Sequence, residues 1–558
     1  MPKRRLQFIL ILVPVLLLII LLRLIDLQII HHSFYKNKAE NQHRRVIPIA
    51  APRGDIYDRN GRLIATSIDT ISVYINPKIF KDYDQLSKLL GEKVEVQSEK
   101  HMFAWAKRKV DVPLAKNIEA LKIPGVYFLP EKKRVYPKGR LAAQIVGFVG
   151  LDNEGLSGIE LGLDEYLKGE ESSIVTESDP AGYELLSTRV SQKKQSQSGM
   201  DVYLTIDESV QYVAEKELEK TMKQFKGNYG LIVVMDIKSG EILAIAQNPG
   251  FDPNDYSKSD PKTWKSKAID VYEPGSTFKS ITMAAGLDTG VITPDSKLKP
   301  LDALEIGGKV IKNSHKVKFK GLVTISYMLE QSINTAVAQI GMLMGKDTFY
   351  KKIRDFGFGD SIGIGLYGES RGIVRAPSNW STPDIAMMTF GQSIAVTPLQ
   401  LCSAYSALVD GGMLIKPQLV KKIESEDQSF VKTSRLEQTK RAISGKASLE
   451  TLKILESVVL NGSGRKAKMN DYRVGGKTGT AQKVAPGGHG YMQGHYIASF
   501  IGAAPLSDPR IVALVLVDDP KGIIWGETVA GPTFKEVVEN TLRYLNVKPD
   551  KFPTNEAL

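Results

Sequence analysis

The chain has 558 residues, enough for two to four domains. With 42% hydrophobic and 24% charged residues it is excluded from the disordered, strongly charged classes. The net charge of +12 raises nucleic acid as a partner, but no lysine–arginine cluster interleaved with aromatics and no zinc-ligand spacing accompanies it, so the basic surface is read as facing an anionic envelope and no nucleic-acid partner is expected.

Residues 1–5 form a short basic tail, Pro2-Lys3-Arg4-Arg5. Phe8 to Leu22 is an uninterrupted apolar run that extends through Leu24-Ile25 if Arg23 turns its charge to the interface. A bilayer span needs about 20 residues, so 6–30 reads as one transmembrane anchor. A cleaved signal peptide is the competing reading, but no small-x-small site follows the run. The basic tail favours a cytoplasmic N-terminus with the bulk of the chain on the periplasmic side of the inner membrane. Lys36, Lys38, Arg44 and Arg45 put positive charge on the other flank as well.

Residues 31–199 read as a mixed, β-rich scaffold domain. Asn60-Gly61 is a turn signal between the apolar runs Val46–Ile49 and Leu63–Thr66, which predicts a β-hairpin. Arg53, Asp55, Asp58 and Arg59 are read as a structural salt-bridge cluster rather than a catalytic one. The polar stretch 187–199 marks the next boundary.

Residues 200–547 carry the second domain, with 548–558 as a tail. A strand over 201–207, a helix over 208–224 and paired strands over 230–236 and 241–246 open it. A mainly helical block runs to about Gly412. Strands over 474–481, 497–503 and 510–517 follow, and a helix over 532–545 closes the domain. Strands both before and after a helical block imply an α+β domain, an antiparallel sheet flanked by helices. Gly475, Gly476 and Gly479 weaken an edge strand unless another backbone comes close, such as a peptide lying along it.

Pro274-Gly275 breaks the chain, and Ser276-Thr277-Phe278-Lys279 begins a helical stretch. Residues three apart share a helix face, so the Lys279 amine can reach the Ser276 hydroxyl. A desolvated lysine can take the proton that makes a serine nucleophilic. The spacing alone is weak: Ser33, Ser191, Ser259, Ser296, Ser429 and Ser463 also have a lysine three residues on. Two downstream partners single Ser276 out, Ser332-Ile333-Asn334 and Lys477-Thr478-Gly479-Thr480. Ser332 and Asn334 can face one cleft only if the backbone turns there, which places them in an inter-helix loop.

The three motifs, in this order, resemble the serine, Ser-x-Asn and Lys-Thr-Gly set of penicillin-binding proteins and serine β-lactamases. The chemistry expected is acyl transfer through a serine ester. Ser276 attacks a carbonyl and Lys279 accepts its proton. The backbone N–H groups of Ser276 and Thr480 form the oxyanion hole. Ser332 relays a proton to the leaving amine with help from Lys477. Asn334 holds the substrate amide and orients Lys279. Thr478 and Thr480, with the Lys477 charge, grip a terminal carboxylate, and Gly479 completes the substrate-binding strand. No metal or organic cofactor is expected.

The anchor, the segment Arg53–Arg59 and the segment Gly158-Ile159-Glu160 narrow the resemblance to class B, the monofunctional type. That resemblance implies a non-catalytic pedestal before about residue 200 and a transpeptidase domain that cross-links peptidoglycan stem peptides and is acylated by β-lactams. Glu273–Lys279 and Lys477–Lys483 look more like the septal, division-type subgroup. Such a member implies a lipid-linked glycan precursor polymer as substrate, a polytopic glycan polymerase and other divisome proteins as partners, and the membrane. Gly531 stands where that family usually has alanine. The alternatives are an elongation-type transpeptidase, a β-lactamase or β-lactam sensor, and an inactive divisome scaffold. Gly368-Glu369-Ser370-Arg371-Gly372 matches a hydrolase elbow, but Pro377 argues against the helix that motif needs. Cys402 is the only cysteine and reads as a core residue, and the seven histidines (31, 32, 43, 101, 315, 489, 495) show no metal-ligand spacing.

Overall fold

A computed structural model describes residues 2–49, 51–96, 103–170, 172–177, 197–314, 321–488 and 490–551. The polar boundary predicted at 187–199 is described only from residue 197. Ser191, His101, His315, His489 and residues 552–558 of the predicted tail also lie outside the described residues.

Two compact units share the chain. One is Met1–Pro52, Ser67–Lys133 and Gly169–Gly199; the other is Arg53–Thr66, Arg134–Lys168 and Met200–Leu558. The region read as a scaffold therefore contributes 53–66 and 134–168 to the larger unit.

In the smaller unit, helix α1 (Pro2–Ile25) continues into a π-helical turn, Asp26–Ile30. Among the described residues, Leu6–Ile30 is the one helical stretch long and apolar enough to cross a membrane. Strand Arg44–Ile49 pairs antiparallel with Ser172–Glu177. Beyond it, the later part of Leu63–Ile75 pairs with Ala104–Val110 over a core that includes Val73, Ile75, Phe80, Leu86 and Ile118. The predicted hairpin forms, but its first arm is Ile56–Tyr57 rather than Val46–Ile49. The reason is local. The Asp58 carboxylate accepts from the N–H groups of Asn60 and Arg62 (both 2.8 Å), and Gly61 sits at φ +80°, which closes the turn tightly.

The larger unit holds the site. Helix α2 (Glu208–Phe225) is capped by Asp207, whose side chain accepts from Ser209 and Val210 N–H. Strands β1 (Tyr229–Asp236) and β2 (Ile242–Asn248) form a hairpin. The helical block contains α3 (Lys279–Asp288), α4 (Ile325–Glu330), α5 (Asn334–Met344), α6 (Pro398–Val409) and α7 (Gly445–Asn461). Strands β3 (Gly475–Val484), β4 (Tyr491–Ala504) and β5 (Ile511–Asp518) return, and α8 (Gly531–Tyr544) ends the fold. The sheet order is β3-β4-β5-β1-β2, with every pairing antiparallel. The first and last strands of this sheet in chain order thus meet at the β5–β1 pairing, and β3 is an edge.

β1 and β5 read as continuous apolar runs because both faces are covered. Leu231, Val233 and Met235 join one core, with Phe278, Ala284 and Tyr405 of the helical block. Ile232 and Val234 join another, with Leu218 of α2 and Phe534 of α8. Cys402 is buried in the first core.

Arg53, Asp58 and Arg59 do not pair with one another. Arg53 Nε donates to Glu160 (3.0 Å) and its Nη1 to Asp164 (2.6 Å), while Arg134 Nε donates to the other Glu160 oxygen (2.6 Å). Arg59 pairs with Glu241 at 2.6 Å. Asp55 N–H donates to Asp201. Glu160 is fully buried, so this ion network, with Tyr136 N–H on Asn254 (3.0 Å) and Ala142 N–H on Glu215 (2.8 Å), ties 53–66 and 134–168 to the body of the unit.

Candidate active site

Ser276 lies in a 3-10 turn, Gly275–Phe278, that leads directly into α3. Gly275 is at φ +56°, and a Cβ there would stand 2.8 Å from the Ala481 Cβ on β3, so only glycine lets the turn lie against the edge strand. Thr277 Oγ1 donates to the Pro274 carbonyl (2.8 Å), and the buried Tyr405 hydroxyl of α6 donates to the Thr277 carbonyl (2.9 Å). The nucleophile's turn is thereby held from both sides.

Lys279 is fully buried. Its Nζ donates to the carbonyl (2.6 Å) and the hydroxyl (3.0 Å) of Ser332. Among the described residues Lys279 has no hydrogen bond to Ser276; it is held by the Ser-x-Asn serine instead. Ser332 sits between α4 and α5, as the spacing of Ser332 and Asn334 required, and at φ +54° it turns carbonyl and hydroxyl together toward the amine. Asn334 opens α5 and its side chain donates to the Lys312 carbonyl (2.8 Å), so Ser332, not Asn334, orients Lys279.

Lys477 on β3 is also fully buried, and donates to the carbonyl (3.1 Å) and hydroxyl (3.2 Å) of Thr478. Burial lowers its pKa to about 7. Burial first, and the nearby Lys477 second, hold Lys279 well below the ordinary lysine value. Burial thus shifts Lys279 toward the neutral amine, the form a proton acceptor needs.

Ser276, Ser332, Asn334, Thr478 and Thr480 line one cleft of about 400 Å³. Thr478 and Thr480, two apart on β3, fall on the same face. A side chain on Gly479 would collide with Ser499 Oγ and one on Gly476 with Phe500, so these glycines are needed for packing within the protein. Sequence reading missed Ser463, Phe390, Gln392, Trp525, Gly526 and Glu527, which also line the cleft. Ser463, one of the Ser-x-x-Lys serines, has its hydroxyl 3.0 Å from Thr478 Oγ1, while Lys466 bonds Thr528. Ser370 is in a loop where Glu369 accepts backbone N–H groups of Ile362 and Gly363, so no hydrolase elbow forms. No group of His, Cys, Asp and Glu among the described residues could hold a metal ion.

The description "Penicillin binding protein transpeptidase domain" matches residues 230–539, the span that holds all three motifs. The chain belongs to the penicillin-binding protein transpeptidase family. A "Penicillin-binding Protein dimerisation domain" also matches, over 48–204, which makes this a class B penicillin-binding protein. It is 36% identical to stage V sporulation protein D of Bacillus subtilis, over 98% of this chain and 87% of that protein. It is 30% identical to the peptidoglycan D,D-transpeptidase FtsI of Escherichia coli K12, over 95% of this chain and 90% of that one. Penicillin-binding protein 3 of Mycobacterium tuberculosis, solved in complex with aztreonam, superposes with a TM-score of 0.71 at 25% identity, covering 90% of this chain and 98% of that structure. This penicillin-binding protein is thus a serine-type transpeptidase of septal-type likeness, with one apolar N-terminal helix as a single-pass anchor.

Proposed function

We propose that this protein cross-links peptidoglycan stem peptides ending in D-Ala-D-Ala during septal wall synthesis. The observation that carries the reading is geometric: the fully buried Lys279 amine is hydrogen-bonded to Ser332, which lines one cleft with Ser276, Thr478 and Thr480, and the buried Lys477 bonds Thr478. Ser276 Oγ attacks the penultimate carbonyl as Lys279 takes its proton. The N–H groups of Ser276 and Thr480 receive the oxyanion, an interaction worth about 3 kcal/mol per donor in serine enzymes. Ser332, hydrogen-bonded to Lys279, returns the proton to the departing D-alanine. Lys477 in its charged form, with Thr478 and Thr480, binds the terminal carboxylate. An acceptor amine then attacks the ester carbonyl, its proton passes through Lys279 to the departing Ser276 Oγ, and the new amide is released as the C–O bond breaks. Asn334, at the cleft wall, binds the substrate amide.

On this reading the N-terminus is cytoplasmic and the catalytic unit lies outside the cytoplasmic membrane. A polytopic glycan polymerase supplies the lipid-linked polymer, and divisome proteins bring the enzyme to mid-cell. The test is reconstitution with such a polymerase: cross-linked dimers and free D-alanine should appear with the wild type and vanish with Lys279→Met. Polymer that stays uncross-linked with the wild type as well would contradict the reading. The likeness to a stage V sporulation protein favours a second setting, wall synthesis in sporulation, and imaging a fluorescent fusion in growing cells separates the two.

A further inference from the structure

We infer that Glu527 is a specificity-determining residue of the cleft and binds an alkylammonium group carried by a stem peptide; this rests on the transpeptidase reading above. Among the described residues lining the cleft, Glu527 is the one acid. Its carboxylate makes no hydrogen bond or ion pair with another described residue. Asp518 and Asp519, which end β5 and follow it, are instead paired, with Lys483 and with Lys521 and His495.

The backbone under Glu527, by contrast, is pinned. Gly526 N–H donates to Thr480 Oγ1 (3.3 Å), and the N–H groups of Thr528 (2.9 Å) and Val529 (3.0 Å) donate to the Trp525 carbonyl. Lys466 Nζ donates to Thr528 Oγ1 (3.0 Å). A side chain at Gly526 would collide with the carbonyls of Gly479 and Ser499, so this segment lies directly on the β3–β4 edge. A free carboxylate on a fixed backbone is arranged to receive a ligand rather than to hold the fold.

The ring beside it fits the same ligand. Trp525 also lines the cleft and is 47% exposed. An indole face accepts a cation, and its apolar surface accepts the methylene stem that leads to one. The chain carries a net charge of +12, so its long-range field repels cations, and an ammonium-bearing peptide needs a local acid to dwell in the cleft. Such an ammonium has two sources in this reaction. It is the side-chain amine of the donor residue preceding D-Ala-D-Ala, or an amine on the acceptor stem. Both are protonated near neutral pH.

The test uses the full chain in detergent and two arms. The donor arm compares acylation by Nα-acetyl-lysyl-D-alanyl-D-alanine with its Nε-acetyl analogue. The acceptor arm forms the acyl-enzyme from an uncharged D-alanyl thioester and compares aminolysis by glycyl-lysine amide with aminolysis by its Nε-acetyl analogue. We expect the wild type to favour the free ammonium by about ten-fold in one arm, as loss of one charged hydrogen bond predicts. Glu527→Gln should bring that ratio to within about two-fold of unity, and Glu527→Asp should keep part of it. The arm that responds identifies the source. Equal rates in both arms of the wild type, or a preference that survives in Glu527→Gln, would overturn the inference. If no donor acylates the wild type, the transpeptidase reading itself fails and the inference falls with it.

Discussion

Two lysines set the chemistry at the scale of single residues. Both are buried, and a buried ammonium is costly, so each releases its proton more readily than an exposed lysine. Lys279 must be neutral to accept the Ser276 proton, so acylation should slow as pH falls and Lys279 is protonated. Lys477 must be charged to bind a carboxylate, and with a pKa of about 7 it loses that charge as pH rises. The rate of benzylpenicillin acylation, measured with the purified chain in detergent, should therefore pass through a maximum, with an alkaline limb as Lys477 loses its charge around pH 7. A rate that climbs steadily to pH 10 would show that the Lys477 charge plays no part. Replacing Lys279 by methionine should lower the rate by about a hundred- to ten-thousand-fold. Lys477→Met should do something else besides lowering activity. Between the folded value and the ordinary lysine value the unfolded chain binds the extra proton, so the native state is disfavoured there and its stability rises with pH. Removing the amine should raise the melting temperature at neutral pH, whereas a fall would mean that its bonds to Thr478 outweigh its desolvation.

The meeting of turn, edge strand and inter-helix loop belongs to the scale of elements. Ser276 comes from the turn before α3, Ser332 from the α4–α5 loop and Lys477 from β3. Gly275→Ala would impose a left-handed alanine, a cost of about 1–2 kcal/mol, and push on Ala481 as well. Acylation should drop with little loss of secondary structure by circular dichroism. Tyr405→Phe tests the support from α6. It leaves the buried Thr277 carbonyl without its donor, at about 1–3 kcal/mol, and should shift the urea midpoint downward. The elements themselves were legible in the sequence, because β1, β5 and the closing helix carry unbroken apolar or amphipathic patterns. So was the break that exposes Ser332, because two cleft residues two apart cannot share a helix face. What the pattern could not supply was which atom Lys279 would bond. The i, i+3 rule pointed to Ser276, but the left-handed backbone at Ser332 offers two oxygens at once. Glycines in β3 are ambiguous for a related reason. A missing side chain signals that something comes close without saying what, and here it is Phe500 and Ser499 of the neighbouring strand.

The whole molecule depends on contacts between segments far apart in sequence. The scaffold region reads as one block along the chain, yet 53–66 and 134–168 belong to the larger unit. No periodicity could foretell that, since a buried ion network joins Arg53 to Arg134 and Glu160 across about a hundred residues, and single hydrogen bonds such as Ala142 N–H on Glu215 and Asp55 N–H on Asp201 tie the two segments to the rest of the unit. Glu160→Ala would remove the fully buried carboxylate that Arg53 and Arg134 share, while Arg53 keeps Asp164, and should cost about 3 kcal/mol, visible as a lower melting temperature; a change within about 0.5 kcal/mol would mean the network is not a structural tie. The same long reach gathers the site, because the first and last strands of the sheet meet at β5–β1, and Thr478 and Thr480 of β3 line one cleft with a serine about two hundred residues earlier. The most direct test of that assembly is the intact mass of the protein after incubation with benzylpenicillin, for the wild type and for Ser276→Ala. The account predicts one stable penicillin adduct on the wild type and none on the variant. An adduct that persists on Ser276→Ala, or drug recovered intact beside unmodified wild type, would contradict it.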